Sequence, residues 1–181
     1  MLYFIIGLIL VLGIYFMSAY NGFVKLRNMK DEAFATMDVY LKKRYDLIPN
    51  LVETVKGYAS HEKDTLEKVI AARNMAASAT SVEDKMAGEN ALQGTLKTLF
   101  AVAESYPDLK ANQNFMDLQK QLQSLEGEIA QSRKYYNGVV KEYNTKTEVF
   151  PSNIIAGIFG FMKAPYFEIE EGERENVKVS F

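Results

Sequence analysis

The sequence predicts an all-α protein in which an N-terminal transmembrane helix precedes an elongated antiparallel bundle of three to four helices with coiled-coil-like packing. Three observations lead to this prediction. An uncharged apolar segment opens the chain, helix-spaced apolar residues follow it, and a seven-residue apolar repeat covers residues 115–150. The predicted organisation is an anchor at residues 1–22, a helical bundle at residues 23–150, and a hydrophobic then acidic C-terminal tail at residues 151–181.

The anchor prediction depends on residues 2–20, which contain no charged side chain. A helix of that length spans roughly 28 Å, close to the thickness of a bilayer's hydrocarbon core. A cleaved signal peptide is the alternative, but it needs a basic stretch before a shorter apolar core, and nothing basic precedes this run. The residues that define the anchor are Leu2, Ile5, Ile9, Leu12, Phe16 and Tyr20.

Basic residues after the anchor predict its orientation. Lys25, Arg27 and Lys30 follow the apolar run, whereas only the α-amino group precedes it. The positive-inside rule therefore favours a single pass through the cell (inner) membrane, with the bulk of the chain in the cytoplasm.

Helical spacing continues beyond the anchor through a long segment that reaches Arg73. The apolar phase runs through Pro49 and no turn-forming residues surround it, so we favour a kink in one long helix. The alternative is a break, with Pro49 as the first residue of a new helix. Ser81 and Asp84 match a capping box for the next helix, which should end just before Pro107.

The strongest periodic signal predicts a last long helix over residues 108–149, roughly 63 Å long by the helical rise. Nine of the eleven residues in its two heptad series are apolar, so close packing along a left-handed seam is expected. The long segment ending at Arg73 is the predicted partner. The two series are Phe115, Leu122, Ile129, Tyr136, Tyr143 and Phe150, and Leu118, Leu125, Ser132, Val139 and Lys146.

The tail after Pro151 begins with an apolar cluster that is a candidate interaction surface. It could fold back onto the bundle, contact lipid or meet a second copy of the chain. Residues 167–170 and 177–181 alternate with period two around Gly172, which is compatible with a short C-terminal β-hairpin. The apolar cluster consists of Ile154, Ile155, Ile158, Phe159, Phe161 and Met162.

Composition and motifs argue against nucleic-acid binding and catalysis. The net charge of -2 provides no basic field for nucleic acid, and no cysteine is present. His61 is the only histidine, so a two-metal carboxylate site cannot have its two Glu-x-x-His pairs. No sequence feature points to a serine or an aspartate that would act with His61 in a Ser/His/Asp triad. No phosphate-binding loop or zinc-peptidase motif occurs. We therefore predict no catalytic residue, no cofactor and no metal ligand.

Five charged residues near the apolar seams form a candidate inter-helix polar cluster. If they are buried they must pair, which would fix the register of neighbouring helices. A ligand pocket made from the same residues is the alternative. These residues are Arg44, Arg73, Glu104, Glu126 and Arg133.

Motifs spread over nearly the whole chain resemble the LemA family. They are YN at residues 20–21, LKKRYDLIPNLV at 41–52, KGYA at 56–59 with HE at 61–62, AR at 72–73, ESYPDLK at 104–110, YN at 136–137 and 143–144, FP at 150–151, and Phe115, Leu118, Leu122, Glu126, Ala130 and Arg133. The resemblance implies a bacterial, membrane-anchored helical bundle with no established activity and no accepted catalytic residues. LemA-like genes are often neighbours of an HtpX-type membrane zinc peptidase, which implies a role in membrane quality control.

The residues and the resemblance together lead to one functional hypothesis and two rivals. The hypothesis is a non-enzymatic scaffold or adaptor that contacts the lipid bilayer and either self-associates or binds a membrane protein such as an HtpX-type peptidase. The first rival is a sensor that binds a ligand or lipid in a polar pocket between bundle helices. An enzyme is the second rival.

Overall fold

The computed structural model describes residues 1–168 of the chain, and this part is helical. No strand occurs within those residues, so the all-α prediction is confirmed for them. Most of the segment predicted to form a β-hairpin lies outside the described residues. The helices between residues 1 and 168 are α1 (Leu2–Lys56), α2 (Lys63–Ser78), α3 (Val82–Ala103), α4 (Pro107–Lys110), α5 (Gln113–Glu148) and α6 (Ser152–Phe159).

Helix α1 is continuous through Pro49, so the favoured interpretation of one helix at this residue is confirmed and the alternative, a break, is wrong. A proline has no N–H to donate, which leaves the carbonyl oxygen four residues earlier, that of Tyr45, without its helical partner. The Nε–H of Arg73 donates to this oxygen at 3.1 Å. A side chain of α2 thus satisfies the carbonyl group that Pro49 leaves unpaired.

The prediction of one long segment through Arg73 is wrong, because α1 ends at Lys56 and α2 begins at Lys63. The amide groups of Tyr58 and Ala59 both donate to the Val55 carbonyl oxygen, at 3.0 and 2.8 Å, and close a turn. Ala59 is fully buried within this turn. Its burial continues the apolar spacing across the interruption, because periodicity reports which residues are buried rather than how the backbone is hydrogen-bonded.

The predicted helix over residues 108–149 is likewise interrupted. Pro107 begins the short α4, as expected, but α5 starts only at Gln113. The Oδ1 atom of Asn112 accepts a hydrogen bond from the Phe115 amide at 3.0 Å, the arrangement of an N-cap residue. The start of α3 follows the prediction, since Ser81 Oγ accepts from the Asp84 amide at 3.0 Å.

The chain divides into two compact units, and both α1 and α5 contribute residues to each unit. Unit 1 comprises residues 1–37 and 132–166, and unit 2 comprises residues 38–131 together with the chain from 167 onward. In unit 1, Phe23 contacts Tyr143 edge to face with ring centroids 6.2 Å apart, and Phe34 contacts Tyr136 at 5.8 Å. Residue numbers rise along α1 as they fall along α5, so the two helices run antiparallel in this unit.

In unit 2, helices α2 and α3 pack closely against each other. A Cβ atom added to Gly88 would lie only 2.6 Å from the Cα atom of Ala76. Small side chains at both positions therefore let the two backbones approach.

Most of the first heptad series of α5 is buried as expected, but Phe150 is exposed because α5 ends at Glu148.

Candidate functional site

Helices α1, α3 and α5 place four polar residues together inside unit 2: Arg44, Tyr45, Glu89 and Glu126, here called the polar cluster. The Arg44 guanidinium donates one hydrogen bond to Glu89 and another to Glu126. The Tyr45 hydroxyl donates to the other carboxylate oxygen of Glu89. Arg44 is only 2% exposed and Glu89 is 6% exposed, so a buried ion pair joins α1 and α3. The partly exposed Glu126 joins α5 to the same guanidinium.

The electrostatics of the polar cluster keep its charges paired. Burying a guanidinium is expensive unless carboxylates surround it, and Arg44 has two. Glu126 keeps 47% of its side chain exposed, so water also solvates the excess negative charge. Burial raises the pKa of the Tyr45 hydroxyl to about 12, an effect that Arg44 opposes and Asp38 reinforces. Tyr45 therefore remains a neutral donor to Glu89 at physiological pH.

A second ion pair, which is partly buried, also joins α1 and α3. Lys85 of α3 donates to Asp38 of α1, and the lysine side chain is 9% exposed. Lys85 lies one helical turn before Glu89. Helices α1 and α3 thus each carry one positive and one negative residue, and each of these residues pairs with a residue of opposite charge on the other helix.

The five charged residues that the sequence predicted as an inter-helix cluster lie at different positions in the structure. Arg44 and Glu126 are in contact. Arg73 lies on the neighbouring α2, where it binds the Tyr45 carbonyl group and approaches Asp46 at 3.8 Å. Glu104 is exposed at the C-terminus of α3, and Arg133 is half-buried in unit 1. The structure therefore brings together two of the five directly and a third through the α1 backbone.

Sequence reasoning missed Glu89 and Lys85, although the spacing of α3 contains the signal for them. The buried residues of this helix recur every three or four positions, and the first two in that series are charged. A charged residue in phase with a buried stripe predicts a paired buried charge. The stripe is Lys85, Glu89, Leu92, Leu96, Leu99 and Ala103.

Other groups of the described residues offer little reactive chemistry. Between residues 1 and 168, no three histidine, cysteine, aspartate or glutamate side chains are grouped so as to hold a metal ion. A cleft of about 570 Å³ lies between the end of α1 and α2, with apolar walls and an open, charged rim. It is lined by Val52, Glu53, Lys56, Ser60, Lys63, Leu66, Glu67, Ile70, Ala71 and Asn74, none of them from the predicted cluster.

The anchor and the tail meet in unit 1. Within the described part of the chain, α1 alone is long and apolar enough to cross a membrane, and its apolar window is almost entirely exposed. The named anchor residues Leu2, Ile5, Ile9, Leu12, Phe16 and Tyr20 are all exposed. The candidate interaction surface divides into two groups: Ile155 and Phe161 are buried, whereas Ile154, Ile158, Phe159 and Met162 are exposed.

The sequence of this chain matches a known protein family. The family model described as "LemA family" matches residues 33–181, which is most of the chain. The chain belongs to the LemA family. The matched region contains every residue of the polar cluster.

Two kinds of relative are similar to this chain. Protein LemA of Metamycoplasma hominis is 25% identical over 98% of this chain and 83% of its own length. Magnetosome protein MamQ 2 of Paramagnetospirillum magneticum is 26% identical over 82% of this chain, and Magnetosome protein MamQ of Magnetospirillum gryphiswaldense is 24% identical over the same share. The chain spans 64% of the length of these MamQ proteins. Neither the family nor the relatives' names indicate a class of enzyme.

The motifs that carry the resemblance to the LemA family also build much of the site. The motif at residues 41–52 supplies Arg44, Tyr45 and Pro49, and the motif at 72–73 supplies Arg73. Glu126 comes from the series on α5. Three of the four residues of the polar cluster, Arg44, Tyr45 and Glu126, therefore belong to the residues that carry the resemblance, whereas Glu89 does not.

Proposed function

We propose that this LemA-family protein is a non-enzymatic scaffold or adaptor, which α1 anchors in the bacterial membrane. In this role it associates with itself or with a membrane protein such as an HtpX-type peptidase. The observation that carries the proposal is the continuity of α1: one helix includes both the exposed apolar span and Arg44, the centre of the buried polar cluster. The same helix therefore supplies both an apolar segment long enough to cross a membrane and residues of a packed helical core.

The pairing of the buried charges supports a structural role for the polar cluster. A catalytic acid or base needs access to substrate and a proton to exchange near neutral pH. Arg44 instead pairs with both Glu89 and Glu126, and Tyr45 is held protonated. These contacts occupy both Nη atoms of Arg44 and the Tyr45 hydroxyl group. They favour a cluster that holds helices in place.

The proposed location is the cell (inner) membrane, crossed once, with the helical core in the cytoplasm. The cations Lys25, Arg27 and Lys30 immediately after the apolar span support this orientation. The cysteine-free sequence allows a direct topology test, in which Lys97→Cys introduces one thiol at an exposed position of α3. A membrane-impermeant maleimide should label it only after cells are opened. Labelling in intact cells with a sealed inner membrane would reverse the proposed orientation.

The scaffold proposal is tested on the full chain extracted in mild detergent. Cross-linking in intact membranes, followed by size analysis, should recover either an oligomer of this chain or a defined complex with another membrane protein. As a control for random collision, the same cross-linking is repeated after diluting the membranes with excess lipid. A monomer with no associated protein before and after cross-linking would contradict the proposal.

A sensor is the second candidate function, and one observation favours it. The Nε atom of Arg44 is buried and has no hydrogen-bond partner among the described residues. Because a buried donor is costly to leave unpaired, a small polar molecule could occupy this position. Mass spectrometry of the intact protein under native conditions should then reveal a bound molecule that Arg44→Met loses and Lys42→Met retains.

A further inference from the structure

The segment around α6 is unusually apolar for a surface helix. Residues 149–162 contain no charged side chain. The nearest charges on either side, Glu148 and Lys163, form an ion pair with each other. This pair joins the two ends of the uncharged segment. The helix ends at Gly160, whose φ of 69° allows the left-handed turn, and the Phe161 amide donates to Ala156.

One side of this segment is packed against α1, next to the end of the apolar span. The ring of Phe161 stacks on Phe23 at a centroid distance of 4.7 Å and an interplanar angle of 11°. Phe159 contacts both Tyr20, at 4.7 Å, and Phe16, at 5.6 Å. Phe16 and Tyr20 belong to the anchor, so Phe159 places α6 beside the C-terminal end of the uncharged part of α1.

The other side of the segment is exposed and apolar. Ile154 is 54% exposed, Ile158 is 62% exposed and Met162 is 80% exposed. Phe150, just before the helix, is 79% exposed. Ile154 and Ile158 lie four residues apart and therefore share one face of α6. Exposed apolar residues of this kind in an uncharged segment are unfavourable in water and mark a contact with lipid or protein.

Three features identify lipid as the occupant of this surface. The surface adjoins the exposed anchor through Phe159, so both would enter the same apolar phase. A cation borders it: the Arg27 guanidinium lies 5.7 Å from the Phe161 ring centroid, as suits anionic headgroups. Finally, α6 is only eight residues long, too short to cross a bilayer but long enough to lie in its interface.

We propose that α6 is an interfacial membrane helix: it lies in the headgroup region beside the anchor and inserts Ile154, Ile158 and Met162 into the acyl chains. This inference rests on the proposed membrane anchoring by α1. It gives the protein a second lipid contact, which restricts the tilt and rotation of α1 where the helix leaves the bilayer.

Tryptophan fluorescence tests the proposal, because the natural chain contains no tryptophan. Two single-tryptophan variants, Ile158→Trp and Met162→Trp, report on the exposed face of α6. Tyr135→Trp is the matched control: Tyr135 is 55% exposed on α5, beside Tyr136, which contacts Phe34. Phe34 follows Tyr20 by fourteen positions, roughly 21 Å along α1. Leu10→Trp is the probe for the anchor.

The full-length variants are reconstituted into phosphatidylcholine–phosphatidylglycerol vesicles whose acyl chains carry bromine either near the headgroup or near the bilayer centre. The two α6 probes should be quenched several-fold more than Tyr135→Trp, and more strongly by bromine near the headgroup. Leu10→Trp should respond more to bromine near the centre. Circular dichroism checks that each variant retains the helix content of the natural chain.

Each outcome bears on one proposal or both. Quenching of Leu10→Trp without quenching of either α6 probe would overturn the interfacial helix and leave the anchor intact. Blue-shifted emission of the α6 probes without quenching would mean that protein covers this face, and would also overturn the inference. Failure to quench Leu10→Trp would remove the membrane anchor and the inference that rests on it.

Discussion

Removing the Arg44 charge is the sharpest test of how unit 2 is held together. Arg44→Met keeps most of the side-chain volume but leaves Glu89 buried without its cation. Breaking a buried ion pair by removing one partner costs about 3–5 kcal/mol, because the remaining charge is no longer compensated. Glu126→Gln should cost less than about 1 kcal/mol, since the Glu126 side chain is 47% exposed and the Arg44–Glu89 pair survives.

The measurement is denaturant-induced unfolding of the full chain in a mild detergent, followed by circular dichroism. Lys42→Met is the matched control, because Lys42 is exposed on α1 two residues before Arg44 and loses the same charge. Its effect should stay within about 0.5 kcal/mol. The combined change Arg44→Met with Glu89→Leu should recover much of the lost stability, since no isolated buried charge remains.

Three results would refute this reasoning. If Arg44→Met destabilised the protein no more than Lys42→Met, the ion pair would not stabilise the native helices. If Glu126→Gln cost as much as Arg44→Met, the exposed carboxylate rather than the buried one would be the important partner. An additive effect of Arg44→Met and Glu89→Leu would show that the two residues act independently.

Two further predictions concern the helix contacts in unit 2, and both use the same unfolding measurement. Gly88→Ala should destabilise the protein by about 1–3 kcal/mol, because its methyl group would meet the Ala76 backbone. Gly94→Ala is the control: Gly94 has open space around it, so this change should stabilise α3 by about 0.5–1 kcal/mol. A stabilising effect of Gly88→Ala would contradict the close approach of the two backbones. Arg73→Met should cost about 1 kcal/mol in the natural chain and clearly less in a Pro49→Ala background, where the restored N–H at position 49 satisfies the carbonyl group that Arg73 now binds. Equal costs in the two backgrounds would show that Arg73 does not serve this role.

Much of the fold could be predicted from the sequence because apolar spacing reports burial. The anchor segment, the start of α3 at Ser81 and the start of α4 at Pro107 follow directly from charge, capping and proline chemistry. The two incorrect helix lengths share a cause. Ala59 and Leu109 are buried residues in or beside the interruptions, so the periodic pattern continues where the backbone turns. Only local capping, such as that by Asn112, marks those boundaries.

The polar cluster was harder to predict than the fold. Arg44 and Glu126 stand out as charges beside apolar seams, but their partners depend on which helices become neighbours. The sequence order does not decide that α3 rather than α2 supplies the principal carboxylate. Glu104 and Arg133 have the same residue types and a similar spacing, yet one is exposed and the other lies in unit 1. Residue type and phase identify candidates, and tertiary packing selects among them.

The order of charges along α1 gives the buried pairs a role beyond stability. Heptad-spaced helices can slip past one another by seven residues and still bury apolar side chains. Asp38 precedes Tyr45 by one heptad, so such a slip of α1 along α3 would replace the Tyr45 hydroxyl with the Asp38 carboxylate opposite Glu89. Two carboxylates would then face each other in a buried site, and Arg44 would move away from its partners. We infer that the polar cluster selects one register, a function for which uniformly apolar packing would be insufficient.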